Sequence, residues 1–278
     1  MIIDFHTHIF PRDIRENREK LFPAEPAFKL LYQSANSRLI GAADLIDAMD
    51  KNQVDKSVVF GFPWKNSAVF KPHNDYIMEM VQKYPDRLSG FGCFEPAGEN
   101  VVAEAERCIA AGISGIGELA FYQTGIDESA LDRLAPIMEL CAGRDLPVLI
   151  HTNEPVGHEY HGKTPITMAQ IYGLIKRFPG NKIVLAHWGG GIFFFSLLKK
   201  EVKESLKNIY FDTAASPYLY DSEIYQIAAK LVGVDKILFG SDYPLLPPTR
   251  YFSEMAQAGL TKIQLEKITG ENAGQLLI

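Results

Sequence analysis

Eight short apolar segments, rich in β-branched residues, recur along the 278-residue chain, and each is followed by a stretch with helical periodicity. Parallel strands joined by crossover helices produce this alternation, and eight such units close into a barrel. We therefore predict a distorted (β/α)8 TIM barrel that forms a single domain over residues 1–278. The predicted strands are residues 1–5, 57–61, 88–94, 115–119, 147–150, 182–186, 208–212 and 236–240.

Capping and breaking residues predict where several connecting helices begin and end. A helix is predicted over residues 42–52, and another from Asn74, as its cap, to Tyr84, which precedes a proline. A third is predicted from Asn100 to Ala111 and ends before a glycine. The apolar residues 192–198 are predicted to open an outer helix that closes at residues 201–207.

The connection after strand one is too long for an ordinary barrel loop. Residues 9–39 contain three prolines and a short helical patch, and connections of this length in compact domains are usually functional. We predict that this segment is a lid-like insertion over the barrel mouth. An open doubly wound sheet would instead need a glycine-rich turn after strand one, where His6-Thr7-His8 stands.

Charge and composition exclude several classes of partner. The net charge of −6 argues against nucleic acid, which is bound mainly through Lys and Arg. No run of apolar residues approaches a membrane span, and the first residues predict a strand instead of a signal peptide. The three cysteines lack CxxC spacing, which favours the cytoplasm. A small-molecule substrate is expected. The sequence leaves open whether the protein forms a homo-oligomer.

Histidines and carboxylates stand at the carboxyl ends of the predicted strands, where barrel enzymes place their catalytic groups. His6 and His8 follow strand one, and side chains two apart on a strand share a face. Each of the others ends or follows an apolar run: Glu118 at strand four, His151 at strand five, His187 at strand six and Asp242 at strand eight. Imidazole and carboxylate together favour Zn²⁺, with Mn²⁺, Fe²⁺, Co²⁺ or Ni²⁺ as alternatives.

Five short motifs occur in an order that resembles the amidohydrolase superfamily, specifically the amidohydrolase-2 branch that includes aminocarboxymuconate-semialdehyde decarboxylase. They are Ile3-Asp-Phe-His-Thr-His8, Val148-Leu-Ile-His151, Leu185-Ala-His-Trp-Gly-Gly190, Phe239-Gly-Ser-Asp-Tyr-Pro244 and Ile268-Thr-Gly-Glu-Asn-Ala273. The resemblance covers nearly the whole chain. It implies one ion bound by His6, His8, His151 and Asp242, with His187 as a second ligand or a polarising group.

Glu118 leaves the number of ions open. It stands where two-metal members of the superfamily carry a bridging group, and the resemblance therefore allows one ion or two. The alternative is a structural carboxylate that accepts a hydrogen bond from a ligand histidine.

A metal-dependent hydrolase acting on a small amide, ester or lactone is the main functional prediction, because a bound ion turns water into hydroxide near neutral pH. Asp242 would pass on the proton of that water, and His187 would stabilise the developing charge. Asp242→Asn would then keep metal and lose turnover.

Three other functions are weighed against it. A metal-dependent decarboxylase of an aromatic or enoic acid needs a cation for the substrate carboxylate, and Arg12, Lys65 and Lys71 lie in suitable loops. A phosphodiesterase or nuclease fits the acidic balance less well. A non-catalytic metal-binding protein comes last.

Several further residues are candidates for the pocket. His158 and His161 follow strand five and would line the pocket mouth, and Trp64, Tyr122 and Trp188 would stack on a cyclic substrate or only pack. The glycines at 189–191 would present N–H groups to an anion or make a tight turn.

Overall fold

The computed structural model describes residues 1–277 and has eight parallel strands in the order β1 to β8. Strand β8 returns to β1, since Phe5 N–H donates to Phe239 O (2.7 Å) and His8 N–H to Tyr243 O (2.9 Å). The chain is therefore a (β/α)8 TIM barrel, as predicted. The strands are β1 Ile3–His8, β2 Lys56–Phe60, β3 Leu88–Gly92, β4 Gly115–Leu119, β5 Val148–Ile150, β6 Ile183–Leu185, β7 Ile209–Asp212 and β8 Ile237–Leu238.

Alternation along the strands divides the core into an inner and an outer layer. Phe5, Phe60 and Leu149 belong to a buried cluster inside the barrel. The intervening residues, such as Ile116 and Ile150, belong to a larger cluster between the strands and the surrounding helices. Because both faces of each strand are buried, the strands appear in the sequence as continuous apolar runs.

Helices surround the barrel and fill the connections between its strands. No helix within residues 1–277 is long and apolar enough to cross a membrane. The helices are α1 Arg12–Asn17, α2 Pro26–Tyr32, α3 Ala42–Asn52, α4 Ser67–Lys83, α5 Val101–Ala110, α6 Glu128–Ala142, α7 Met168–Arg177, α8 Lys200–Ser205, α9 Ser216–Leu219, α10 Ile224–Val232, α11 Pro248–Gln257, α12 Lys262–Glu266 and α13 Asn272–Leu276, with 3-10 or π segments at 18–20, 187–197, 234–236 and 267–271.

Two helix predictions differ from the structure. Helix α4 begins seven residues before the predicted start at Asn74, since its cap is Asn66, whose side chain accepts the Ala68 N–H (2.9 Å). Asn74 is buried within α4 and instead accepts the Cys93 N–H (3.0 Å). The helix predicted to open at residues 192–198 is also wrong, because that segment belongs to an irregular 3-10 stretch that ends before α8.

The predicted lid segment, residues 9–39, packs on the loop that follows β2. Glu25 is buried, and its carboxylate accepts the backbone N–H groups of Lys65 (3.2 Å) and Asn66 (2.9 Å). The Phe28 ring on α2 lies 4.4 Å from the Trp64 ring, centroid to centroid. These contacts fix α2 beside the barrel mouth, and the role of the segment as a lid stays a prediction.

The buried, neutral ring of His73 on α4 leads us to predict a loss of stability in mild acid. The Trp64 indole N–H donates to its Nδ1 (2.8 Å), and its Nε2–H donates to Ile9 O (2.7 Å), so the ring is neutral. Burial lowers the pKa of His73 from 6.5 to about 4. Between these values the unfolded chain binds a proton that the folded protein does not, and stability therefore falls as the pH falls below about 6.5.

Because of His73, we expect acidification from pH 7 to pH 5 to lower the free energy of unfolding by about 2 kcal/mol. Urea unfolding at both pH values measures the loss in the wild type and in His73→Gln, whose amide can accept from Trp64 and donate to Ile9. On acidification, the variant should lose about 2 kcal/mol less of its free energy of unfolding than the wild type loses. Equal losses in the two proteins would refute the assignment to His73.

Candidate metal centre

The barrel brings all six predicted ligands together at the carboxyl ends of its strands. His6 and His8 lie on β1 and Glu118 on β4, while the other three follow β5, β6 and β8. Their donor atoms form three groups, and within each group all donors lie within 4.8 Å of one another. The groups are His6, His8 and Glu118; His6, His187 and Asp242; and Glu118, His151 and His187.

Hydrogen bonds orient the two β1 histidines so that each Nε2 faces the centre. His6 Nδ1–H donates to Asp212 Oδ2 (2.8 Å), and His8 Nδ1–H donates to Gly61 O (2.9 Å). The Nε2 atom of His6 is buried and has no hydrogen-bond partner among residues 1–277. A buried polar atom without a partner is rare, and a metal ion is one of the groups that satisfies it.

The spacing of the donors also fits an ion. Asp242 Oδ1 lies 3.4 Å from His8 Nε2 and 3.7 Å from His6 Nε2, and Glu118 Oε2 lies 3.7 Å from His6 Nε2. These distances are too long for good hydrogen bonds. Ligands held about 2.1 Å from a tetrahedral ion stand roughly 3.4 Å apart. The residues therefore fit a divalent metal.

Glu118 lies between two sets of donors. Its Oε2 faces the β1 histidines, whereas Oε1 lies 3.0 Å from His151 Nδ1 and 3.5 Å from His187 Nε2. His187 Nδ1–H donates to Ala214 O (3.0 Å), which leaves its Nε2 facing Glu118. A carboxylate in this position can bridge two ions or hold the second pair of histidines beside one ion.

The charges of these groups shift their pKa values in opposite directions. Burial lowers the pKa of His6, but the carboxylates of Asp212 and Glu118 outweigh it and raise that pKa to about 10. Burial raises the pKa of Glu118, but the positive charges of His6 and His151 hold it well below its usual range. The carboxylates thus favour positive charge at this point, and protons and metal ions compete for the same atoms.

Asp212, at the end of β7, was not identified as a site residue from the sequence. It is fully buried, and besides His6 its carboxylate accepts the backbone N–H groups of His187 (2.9 Å) and Ala214 (3.0 Å). One carboxylate therefore orients a ring on β1 and the turn after β6. The available signal was its position as the last residue of a predicted apolar strand.

A second buried carboxylate fixes the position of Asp242. Asp4 Oδ1 accepts the N–H groups of Ser241 (2.9 Å) and His6 (3.2 Å), and its Oδ2 accepts the Ser241 hydroxyl. Burial raises the pKa of Asp4 to about 7. These contacts tie β1 to the residue before Asp242, so the ligands of two distant sequence segments keep a fixed spacing.

The residues after β6 form a left-handed turn that carries His187. His187 and Trp188 have φ angles of 54° and 61°, and the next three residues, all glycines, also have positive φ. A Cβ on Gly190 would lie 2.3 Å from Asn153 O, so only glycine fits there. The three glycines are buried, which favours the tight turn over the predicted anion site.

A cavity of about 710 Å³ opens above these ligands. Tyr122 lines it and packs on the His151 ring at a centroid distance of 6.2 Å. The cavity wall also includes His158 and His161, in agreement with their predicted place. Trp64 and Trp188 are instead fully buried. Other aromatic rings in the wall are Tyr32, Phe62, Tyr160 and Tyr218.

The cation expected for a substrate carboxylate is not one of the three predicted from the sequence. Within residues 1–277, the cavity wall does not include Arg12, Lys65 or Lys71, and Arg12 is exposed and paired with Glu16 (2.7 Å). Arg38, in the lid segment, lines the cavity. Its guanidinium carbon lies 5.8 Å from the centroid of the Tyr243 ring. Arg38 is thus the cation that the structure places in the cavity wall, in place of the three loop residues.

The fold and the donor set define a metal-site barrel enzyme, and the comparison with known families specifies it further. The amidohydrolase family model, Amidohydro_2, matches residues 3–277, so the chain belongs to this family. It is accordingly an enzyme of the amidohydrolase superfamily, as its motifs predicted.

Several relatives are named as decarboxylases. The 2-amino-3-carboxymuconate-6-semialdehyde decarboxylase of Dictyostelium discoideum is 23% identical over 337 aligned positions, which cover 99% of this chain and 91% of that protein. The crystal structure of 5-carboxyvanillate decarboxylase from Sphingomonas paucimobilis has a TM-score of 0.77 at 18% identity and covers 99% and 98% of the two chains.

A dihydroxybenzoic acid decarboxylase from Polaromonas sp., with bound manganese and the inhibitor 2-nitroresorcinol, has a TM-score of 0.73 at 17% identity over 99% and 96% of the chains. The hydrolase predicted from the sequence is therefore wrong, because these relatives carry out the reaction that was its alternative. The error arises because both reactions use a similar cluster of histidines and carboxylates.

Proposed function

We propose that this protein is a metal-dependent decarboxylase of a small aromatic acid with a hydroxyl group beside its carboxylate. The observation that carries the proposal is the buried His and carboxylate cluster, which opens into a cavity walled by aromatic rings with Arg38 in its wall. The named activities of the relatives support the reaction type. Two related structures, of a 2,6-dihydroxybenzoate decarboxylase and a dihydroxybenzoic acid decarboxylase, support the substrate class.

His6, His8 and Asp242 would hold the ion. Glu118, which lies between His6 and His151, would be the fourth ligand. The proposed ion is Mn²⁺, which related structures contain, or Zn²⁺, which the histidine-rich donors suit. When bound, it would supply positive charge to the oxygen atoms of the substrate carboxylate and hydroxyl group.

Arg38 would bind the carboxylate side of the substrate from the lid segment. It forms no ion pair with any carboxylate of residues 1–277, so its guanidinium is free for a charged ligand. A planar guanidinium matches a carboxylate in two parallel hydrogen bonds. Tyr122 and Phe62, whose rings are stacked at 6.2 Å, would pack against the substrate ring.

His187 would donate the proton that replaces the carboxylate. The imidazolium form of His187 donates its Nδ1–H to Ala214 O and carries a second, transferable proton on Nε2, which faces the cavity. Burial lowers the pKa of His187, but the carboxylates of Glu118 and Asp242 outweigh it and raise that pKa, which favours this form. That proton would form a C–H bond at the ring carbon bearing the carboxylate. The C–C bond then breaks, its electron pair restores the aromatic ring, and CO₂ leaves. Water would later return the proton to His187.

The test is CO₂ release from a panel of hydroxylated benzoic acids by the purified, metal-loaded protein. We expect CO₂ and the matching phenol in equal amounts, loss of activity after chelation, and recovery with Mn²⁺ or Zn²⁺. Unsubstituted benzoate is the matched control, because it lacks the hydroxyl group that activates the ring. Hydrolysis of esters, amides or lactones without CO₂ release from any acid would overturn the proposal.

A cytoplasmic location is also proposed. It is supported by the three cysteines, Cys93, Cys108 and Cys141, which are buried with free thiols.

A further inference from the structure

A second cavity, of about 740 Å³, lies beside the lid segment and is separate from the metal centre. Residues 15–20 and 37–40 supply most of its wall. Ser37 and Arg38 line both this cavity and the substrate cavity, so the two share part of a wall. A volume of this size is within the range of small-molecule sites in proteins.

The wall of this outer cavity carries more free positive than negative charge. Of its acidic residues, Glu16 is paired with Arg12, which lies outside the cavity, and Asp44 accepts the Gly41 N–H (2.8 Å). Glu19 alone among them has no ion pair within residues 1–277, whereas three cations have none: Arg18, Lys20 and Arg38. This excess is local, because the whole chain has a net charge of −6.

Two guanidinium groups lie in the same wall. Arg15 Nη1 lies 3.5 Å from Asp44 Oδ2, and the Arg15 side chain is 32% exposed. Arg18 Nη1 donates to Ser37 O (2.7 Å), which holds this side chain against residue 37. Because a guanidinium has five N–H donors, both groups keep donors for a ligand in the cavity.

We propose that the outer cavity binds a small molecule with at least two oxyanion groups, a polycarboxylate or a phosphorylated compound. Arg15, Arg18 and Lys20 hold it, and it competes with the substrate for Arg38. Occupation of the cavity therefore weakens substrate binding without contact with the metal ligands. The competition rests on the role of Arg38 in the proposed function, whereas binding in the outer cavity does not depend on that role.

Calorimetric titration of the metal-loaded protein with succinate and with inorganic phosphate tests the binding. Ionic strength is kept constant, because exposed charges are screened by salt. We expect saturable binding of at least one anion, and the stronger of the two identifies a carboxylate or a phosphoryl ligand. Arg18→Gln and Lys20→Gln should each raise its dissociation constant about tenfold, since each removes a charge-assisted hydrogen bond.

Arg12→Gln is the matched control, because Arg12 lies in the same segment but outside the cavity. It should leave the dissociation constant unchanged. The Lys20 side chain makes no hydrogen bond or ion pair within residues 1–277, so its variant remains informative if Arg18→Gln alters the segment 9–39 through Ser37. Absence of saturable binding, or equal effects of Arg12→Gln and Lys20→Gln, would overturn the site.

Steady-state kinetics with the bound anion test the competition separately. The anion should raise KM for the aromatic acid and leave kcat unchanged in the wild type, and this effect should disappear in Lys20→Gln. Saturable binding with no change in KM would refute the competition for Arg38 and leave the site intact. A lack of CO₂ release from every acid would instead count against the proposed function, and the calorimetric result would be unaffected.

Discussion

His187→Asn is expected to lower the rate of CO₂ release by about 10²–10⁴-fold, which is the usual contribution of a positioned proton donor. Asparagine can keep the hydrogen bond from position 187 to Ala214 O, but it has no atom in the position of Nε2. It also tolerates the positive φ of 54° at this position better than most residues. The turn should therefore survive while the proton donor is lost.

Bound metal and CO₂ release are both measured in this variant. We expect its metal content to match that of the wild type, because His6, His8 and Asp242 are unchanged. His161→Asn is the control, since His161 lines the same cavity and belongs to none of the three donor groups, and its rate should stay close to that of the wild type. A wild-type rate in His187→Asn would contradict the role of His187 as proton donor.

The barrel could be predicted because its strands are buried on both faces. Each strand is then a continuous apolar run, and a polar residue at its end has no structural reason to be there unless it serves the site. This is why His151, after Val148-Leu-Ile150, and His187, after Ile183-Val-Leu185, were found from the sequence. Their common position at the barrel mouth follows from parallel strands alone.

Asp212 could not be assigned a role in the same way. Its carboxylate joins β1 to the turn after β6, and the partners are 206 and 25 residues away in sequence. Such pairs depend on how the barrel closes and on the left-handed turn at His187. Neither is encoded in the residues next to Asp212.

The position of Arg38 in the cavity wall was missed for a similar reason. Arg12 and Arg38 both belong to the segment between β1 and α3, and the sequence places each in a loop or short helix near the mouth. Which of them reaches the cavity depends on contacts such as that of Arg18 with Ser37, which hold the segment in one path. The path of a long connection is set by tertiary contacts, and strand periodicity carries no information about it.

The activity was predicted wrongly for a chemical reason. The motifs specify the atoms that hold an ion, and those atoms can activate a water molecule or bind a substrate carboxylate. The two reactions differ in the groups that surround the substrate, above all a cation in the cavity wall and a proton donor aimed at carbon. In the proposed function Arg38 and His187 would supply them, and only the folded structure shows that both line the cavity.

Asp242→Asn is expected to weaken metal binding by at least about 100-fold. Mutation of a residue that only hydrogen-bonds to a metal ligand already lowers metal affinity by about 10–100-fold, and Asp242 is proposed as a ligand itself. Burial raises the pKa of Asp242, but the nearby His8 ring, 3.4 Å away, and the charge of His6 lower it below its usual value. The carboxylate is therefore ionised near neutral pH. Asparagine keeps the shape and tolerates the φ of 57° here, so the charge is the main change.

Titration of the metal-free protein with Mn²⁺ measures this affinity, and CO₂ release is followed in the same samples. Activity at limiting metal should fall with the bound fraction and recover substantially in excess Mn²⁺, because the proton donor His187 is intact. Glu154→Gln controls for loss of a carboxylate in the cavity wall and should keep wild-type affinity, since Glu154 is in none of the donor groups. Wild-type metal affinity with no turnover would instead make Asp242 a proton carrier, the role that water activation required of it.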